Sequence, residues 1–167
     1  MKIKTLATIF IILGLFTRQP LKAAEEPGDW QEAAVLSVTA VVAPYTSVKL
    51  SLNEISFDVK GEPGTYDAIQ NVEITVGSNQ SKWSVYAKGK DLVDKSGNAP
   101  SLPSSRLAFS MNNKIDFQNL GESRLVIEGD AARPPTAFTL NFQLTTAWED
   151  LPGTYSGDII FSFLSCP

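Results

Sequence analysis

Apolar and polar residues alternate with a period of two through most of the chain after residue 33, and no segment keeps a helical period. Alternation puts successive side chains on opposite faces of a strand, so we predict an all-β protein. Gly, Pro, Asn and Asp clusters separate eight or nine such segments. This spacing favours two antiparallel sheets packed as an immunoglobulin-like β-sandwich, with a closed barrel as the alternative. The predicted strands are Val35–Val42, Val48–Leu52, Ile55–Val59, Ala68–Val76, Trp83–Ala87, Arg106–Met111, Arg124–Glu128, Phe138–Thr145 and Tyr155–Leu164.

The tetrapeptide Pro-Gly-Thr-Tyr occurs twice, ending at Tyr66 and at Tyr155, each time after acidic residues and before an alternating segment. Proline presets a turn by fixing its φ, and glycine accepts a positive φ. The tyrosine that follows can bury its ring while its hydroxyl stays in water or bonds to the backbone. We therefore predict similar hairpin corners at two places in the sandwich.

The first 23 residues have the three parts of an export signal. Lys2 and Lys4 are basic, Thr5–Phe16 is apolar, and Ala23 is the small residue that a signal peptidase requires. The apolar run is shorter than the roughly 20 residues that span a membrane, so no stable insertion is expected after cleavage. We predict a secreted, extracytoplasmic protein. Its expected parts are a signal peptide at 1–23, a flexible acidic tether at 24–34 and a single β-sandwich domain at 35–167.

Composition argues against most enzyme chemistry. The chain has no histidine, so the usual general base, the commonest metal ligand and every Ser-His or Cys-His nucleophile are missing. Its adjacent acidic pairs lie in a turn or in the tether, whereas acid–base catalysis requires two carboxyl groups held apart in a cleft. The residues after position 23 include ten basic and eighteen acidic side chains, and this net charge of −8 disfavours nucleic-acid binding. We expect no enzyme activity and no cofactor.

Two further features concern metals and cross-links. Cys166 is the only cysteine, so it forms no internal disulfide and is either an inert thiol or half of an intermolecular disulfide. The long predicted loop Lys88–Ser105 holds oxygen-bearing side chains of the kind that calcium prefers, at Asp91, Asp94 and Asn98. These residues lack the dense alternating spacing of a calcium loop, so we predict no metal site.

Three tryptophans are candidate contact residues. Trp83 begins an alternating strand, so we expect it to fill the core. Trp148 lies in the acidic corner before the second Pro-Gly-Thr-Tyr, where a half-exposed packing role is expected. Trp30 lies in the tether, where an exposed ring is suited to contact another chain. The three rings also suggest a sugar-stacking platform, which makes a carbohydrate-binding module one alternative function.

Four features occur together in the second part of the chain: Ile55–Phe57, the Trp-Ser-Val at Trp83–Val85, the late strand Thr154–Phe163 and the terminal Pro167. In these features residues 47–167 resemble the WxL domain of bacterial surface proteins, which has two Trp-x-Leu motifs in strands. Here the second motif is Phe-Ser-Phe. The resemblance implies a bacterial surface β-domain that binds cell-wall polysaccharide or peptidoglycan, or another surface protein. It also implies that Trp83, Phe161 and Phe163 carry or support the binding surface.

Pilin-like exported sandwiches share the late Gly-Thr-Tyr-x-Gly strand that begins at Gly153. A fimbrial assembly subunit is therefore the other alternative function, in which one chain lends a strand to the open edge of the next. The predicted donor is Ala33–Val42, which follows the tether and alternates less strictly than the other strands. This alternative predicts a homo-oligomer, whereas a wall-binding domain is expected to stay monomeric.

Overall fold

The computed structural model describes residue 34 and residues 36–113 and 115–166, with Cys166 described by its backbone. The predicted signal peptide, Trp30, the Cys166 side chain and all of the tether except Ala34 therefore lie outside the described residues. The chain divides after Ala40, and every described strand belongs to the second unit, Val41–Pro167. In the first unit, the described residues 34 and 36–40 contain no strand.

The described part of the chain is all-β, with one 3-10 turn at Ser104–Arg106 and no α-helix. Eleven strands are described, more than the eight or nine predicted, because short strands form in segments predicted as connections and the predicted strand Tyr155–Leu164 is divided in two. The strands are β1 (Thr46–Leu50), β2 (Thr65–Asp67), β3 (Val72–Ser78), β4 (Lys82–Gly89), β5 (Val93–Asp94), β6 (Leu107–Met111), β7 (Gln118–Asn119), β8 (Arg124–Gly129), β9 (Arg133–Thr145), β10 (Tyr155–Ser156) and β11 (Ile159–Cys166).

These strands form two main antiparallel sheets. The first has the order β1-β3-β9-β6-β7, with β2 also paired to β9, and the second has the order β11-β4-β8. A short pair, β5 and β10, lies outside both. The two main sheets share one apolar core, which confirms the β-sandwich predicted from the alternation. The immunoglobulin-like strand order stays a prediction.

The core is built by the alternation that the sequence shows. In β4, Trp83, Val85 and Ala87 are buried, while Lys82 and Lys88 are exposed. Full burial of a large apolar side chain stabilises the fold by about 1.5–3 kcal/mol, so this shared core holds the two sheets together. The buried apolar set is Val72, Ile74, Val76, Trp83, Val85, Ala87, Leu107, Phe109, Leu120, Val126, Ile127, Leu140, Phe142 and Leu144.

The tyrosines of the two Pro-Gly-Thr-Tyr corners bond to the backbone as predicted, but the corners are not hairpins: β2 pairs with β9, β10 pairs with β5, and neither Gly64 nor Gly153 has a positive φ. The Tyr66 hydroxyl donates to the carbonyl of Glu62, and the Tyr155 hydroxyl donates to the carbonyl of Leu151 at 2.7 Å. In both cases the acceptor lies four residues before the tyrosine. Burial raises the pKa of Tyr155, which keeps this hydroxyl protonated and able to donate. Each corner is therefore closed by the tyrosine that follows its turn.

Two predicted strands do not form. The described part of Val35–Val42 is not a strand, and the first strand begins at Thr46. Ile55–Val59 also forms no strand, although Ile55 and Phe57 pack against the core. Alternation fixes which side chains face the same way, but a strand also needs a neighbour to receive its backbone hydrogen bonds. Among the described residues, no strand pairs with either segment, although Ile69 N donates one hydrogen bond to Ser56 O.

The sequence pattern predicts a connection between the strands Arg124–Glu128 and Phe138–Thr145. Residues 133–136 of that connection instead form the start of β9. Arg133 lies opposite Ser78 and Thr136 lies opposite Val76, and the register between β3 and β9 shifts within this stretch. Proline cannot donate to a sheet ladder, so it is tolerated where pairing is irregular. The bulge accommodates Pro134 and Pro135 and lets β9 begin five residues earlier than the sequence pattern predicts.

Candidate binding groove

A groove of about 920 Å³, lined by both polar and apolar groups, contains residues of both main sheets. One wall is the segment 50–59, which follows β1 and contributes Leu52 and Phe57. The other wall is β11 with the chain before it, and it contributes Ile159 and Phe161. Apolar side chains that belong to the floor of the groove are Val72, Leu92, Leu102, Leu107, Phe142 and Leu144.

β11 leaves the groove open, because only one of its two edges is paired with a described strand. It pairs with β4 along its whole length, and no described strand pairs with its other edge. The segment across the groove accepts a hydrogen bond at Ser56 O from Ile69 N, in the connection between β2 and β3, at 2.9 Å. The unpaired N–H and C=O groups of an edge strand can bind a further strand, so β11 offers one wall for an added chain.

The inward side of β11 is only half-buried. Ile159, Phe161 and Phe163 all pack against the core, yet none of them is fully enclosed. On the outward side, Ile160 and Leu164 are exposed. β11 therefore presents apolar side chains on both faces beside its unpaired backbone edge.

Trp83 lies in the core and supports β11 from behind. Its side chain is 2% exposed, and its indole N–H donates to the carbonyl of Ala131 at 3.0 Å. The indole stacks on Phe163 with ring centroids 6.3 Å apart and 13° between the ring planes. The ring is therefore not available for a direct surface contact, and it packs against Phe163 from inside the core.

Trp148, in contrast to the buried Trp83, is 80% exposed. It lies in a corner that is fixed by the Arg106 guanidinium, which pairs with Asp150 and, at 3.3 Å, with Glu149. Asp150 also accepts a hydrogen bond from Ala147 N at 2.7 Å. The flanking residues 147 and 150–151 line the groove. The exposed indole of Trp148 therefore lies in a corner beside the groove.

The acidic residues of the loop after β4 are used to shape that loop. Asp94 is buried, and its Oδ2 accepts hydrogen bonds from the Ser96 hydroxyl and from the backbone N–H of Asn98 and Ala99. The hydrogen bond from Ser96 is the largest cause that lowers the pKa of Asp94. Asp91 accepts from Ser104 N at 2.7 Å, which lowers its pKa as well. Among the described residues, no three acidic or cysteine side chains are grouped closely enough to hold a metal ion.

The structure brings some of the sequence candidates together and separates others. Phe161, Phe163 and Trp83 meet at the β11 wall, and Trp148 lies in the corner that forms part of the rim. Trp30 and the side chain of Cys166 lie outside the described residues. The sequence does not predict that residues 50–59 line a groove. The feature that marks this segment is the break in alternation at Asn53-Glu54.

A scan against protein-family models and a search of curated proteins both found no match for this chain. In the described residues, no helix is long and apolar enough to cross a membrane. The function is therefore inferred from the groove and from the unpaired edge of β11.

Proposed function

We propose that this protein is an exported, non-enzymatic bacterial surface β-domain that assembles with further copies by accepting an extended segment in the groove. The observation that supports this most strongly is the groove beside the unpaired edge of β11, with Phe161 only partly buried in its wall. This corresponds to the fimbrial alternative from the sequence. Export rests on the sequence features of residues 1–23, and surface location rests on the resemblance to the WxL domain.

An extended protein chain suits this groove better than a compact ligand does. One wall is the strand β11, whose unpaired edge can supply a ladder of hydrogen bonds to an added strand. The pockets between the walls can then receive every second side chain of that strand. Leu52, Val59 and Leu151 are exposed at the groove and would be covered by the added chain.

A charge placed in the groove tests this proposal without touching the core. Leu52 is 39% exposed and lines the groove, whereas Leu125 in β8 is 38% exposed and lies outside it. We expect residues 24–167 to form concentration-dependent oligomers in sedimentation velocity. Leu52→Asp should weaken this association at least tenfold, and the matched control Leu125→Asp should leave it within twofold of the unchanged chain. A chain that stays monomeric at several hundred micromolar would refute the proposal.

Wall binding, as implied by the WxL resemblance, is a second candidate that one observation favours. An aromatic ring exposed to solvent is suited to stack on a sugar, and Trp148 is such a ring. Co-sedimentation with purified peptidoglycan tests it: saturable pelleting that falls at least fivefold in Trp148→Ala supports wall or carbohydrate binding. Equal pelleting of both proteins would remove Trp148 from the candidate site.

A further inference from the structure

We infer that the groove of one copy receives residues 115–117 of a second copy, with Ile115 on the apolar floor and Asp116 paired with Lys95 at the rim. This inference rests on the proposed function and names the occupant of the groove. It depends on four observations: the exposure of Ile115, the hydrogen bonds that hold its connection, two unpaired charges, and the opposite placement of occupant and groove in the first sheet.

Ile115 is a large apolar side chain that lies in solvent. It belongs to the connection between β6 and β7, and it is 79% exposed. An apolar side chain gains free energy when it leaves water for an apolar pocket. Single exposed apolar side chains are common on protein surfaces. What distinguishes Ile115 is the way in which the chain around it is held.

Two buried polar side chains hold the connection just before Ile115. Ser110 is 1% exposed and Asn141 is 6% exposed, and both donate to the carbonyl of Asn113, Asn141 at 3.2 Å. Asn113 Oδ1 in turn accepts a hydrogen bond from Ile115 N at 3.4 Å. Buried polar groups are costly unless they are hydrogen-bonded. These two therefore tie the connection firmly to the sheet.

Asn112 adds a second anchor to the same connection. Its φ of 59° lies in the left-handed region, which residues other than glycine adopt rarely. Asn112 N donates to the Thr139 carbonyl at 2.8 Å, and Asn112 Oδ1 accepts from Thr139 N at 3.2 Å. A contact segment that is fixed before binding loses less conformational entropy when it binds. The connection is thus suited to present Ile115 to a partner.

The groove carries one unpaired positive charge. Lys95 is the one basic side chain among the lining residues, and no ion pair joins it to another described residue. Its backbone is fixed beside β10, because Lys95 N donates to the Thr154 carbonyl at 2.9 Å. Glu54, an acidic lining residue, belongs to the wall 50–59 across the groove. The other three lining carboxylates are paired within the chain: Asp58 with Lys60, Asp150 with Arg106, and Asp158 with Lys90.

Asp116 supplies the carboxylate that would complement Lys95. It is exposed, and no hydrogen bond or ion pair joins its side chain to another described residue. Successive side chains of an extended chain point to opposite sides. With Ile115 directed to the apolar floor, Asp116 would therefore point toward the rim, where Lys95 is exposed. Complementary charges of this kind fix how a partner is oriented.

The occupant and the groove lie toward opposite edges of the first sheet. β7, which follows residues 115–117, ends that sheet on one side. β1, which leads into the groove wall 50–59, ends it on the other side. The contact therefore requires a second copy. Each copy then offers an occupant at one edge and a groove at the other, a heterologous contact that can continue from copy to copy.

A charge swap tests the paired side chains. In chain 24–167, Lys95→Asp and Asp116→Lys should each weaken self-association at least threefold in sedimentation velocity, because each places two like charges together. The double variant should associate within twofold of the unchanged chain, since it restores the pair with its signs reversed. Lys88→Asp is the matched control for Lys95→Asp, because Lys88 is exposed and lies outside the groove. It should change association less than twofold.

A charge at Ile115 tests the apolar contact separately. Ile115→Asp should weaken self-association at least tenfold, because it places a carboxylate on the apolar floor of the groove. Leu164→Asp is the control, since Leu164 is 54% exposed and is not among the groove-lining residues. It should leave association within twofold of the unchanged chain.

The outcomes separate this inference from the proposed function. Oligomers that depend on Leu52 but not on Ile115 would overturn the assigned occupant and leave groove-mediated assembly intact. A double charge variant that associates no better than the single variants would overturn the pairing of Asp116 with Lys95. An unchanged chain that stays monomeric would overturn both the inference and the proposed function.

Discussion

β4 and β11 are neighbours in one sheet with similar alternation, yet they differ in burial. Trp83, Val85 and Ala87 of β4 are buried, whereas Ile159, Phe161 and Phe163 of β11 are only partly covered. β4 has a paired strand on each side, and β11 has one on a single side. The comparison shows that alternation decides which way a side chain points, while neighbouring strands decide how completely it is buried.

The largest expected effect is at the enclosed strand. Trp83→Ala removes a buried indole, its hydrogen bond to Ala131 and its stack on Phe163, so we expect the free energy of unfolding to fall by about 4 kcal/mol. Urea unfolding of chain 24–167 at low protein concentration measures this loss. A loss below about 1 kcal/mol would contradict the place of Trp83 in the core.

The next effect comes from overfilling the space beside the same indole. A Cβ at Gly129 would lie 2.4 Å from the Trp83 ring, so we expect Gly129→Ala to cost about 2–3 kcal/mol of unfolding free energy. Gly64 is the matched control, since a Cβ there would meet no atom closer than 4.0 Å. Gly64→Ala should change the unfolding free energy by less than about 1 kcal/mol. Equal effects of the two substitutions would contradict the close Gly129–Trp83 packing.

The open strand should respond differently. Phe161 is half-exposed, so Phe161→Ala should cost the monomer only about 1–1.5 kcal/mol of unfolding free energy, well below the loss for Trp83→Ala. The same substitution should weaken self-association at least tenfold in sedimentation velocity, because it removes a wall of the groove. A large stability loss with unchanged association would reverse the comparison between the two strands.

The smallest effect is expected at low pH in the loop after β4. The pKa of Asp94 is lowered in the folded protein, so the folded state binds fewer protons near pH 4 than the unfolded state does. Its stabilising contribution is present above the ordinary pKa of 3.8 and is lost as the pH falls through the lowered value. Thermal unfolding from pH 6 to pH 2 should therefore show a steeper loss of Tm for the unchanged chain than for Asp94→Asn. Parallel profiles would contradict this account of Asp94.

The sequence predicts the parts of this fold that depend on local pattern. Alternation gives the all-β class and the inward face of β4, and the repeated Pro-Gly-Thr-Tyr gives two corners whose tyrosines both bond to the backbone. These features are set within a few residues of each other, so they are visible in one sequence.

The groove depends on relations between distant segments, which the same pattern does not encode. Ile55–Val59 alternates as a strand does, but no strand pairs with it in the described structure. Phe161 and Phe163 were selected through the WxL resemblance, whereas their incomplete burial follows from the missing neighbour of β11. The exposed segment 36–42 likewise has a strand-like sequence without a partner in its own chain.

Sedimentation velocity of two single variants tests the central claim most directly. Val59 lines the groove and is 41% exposed, whereas Leu125 lies outside the groove and is 38% exposed, so one aspartate at each position separates a groove contact from a general effect of charge. We expect Val59→Asp to leave chain 24–167 monomeric at concentrations where Leu125→Asp still forms oligomers like those of the unchanged chain. Identical sedimentation of the two variants would contradict assembly through the groove.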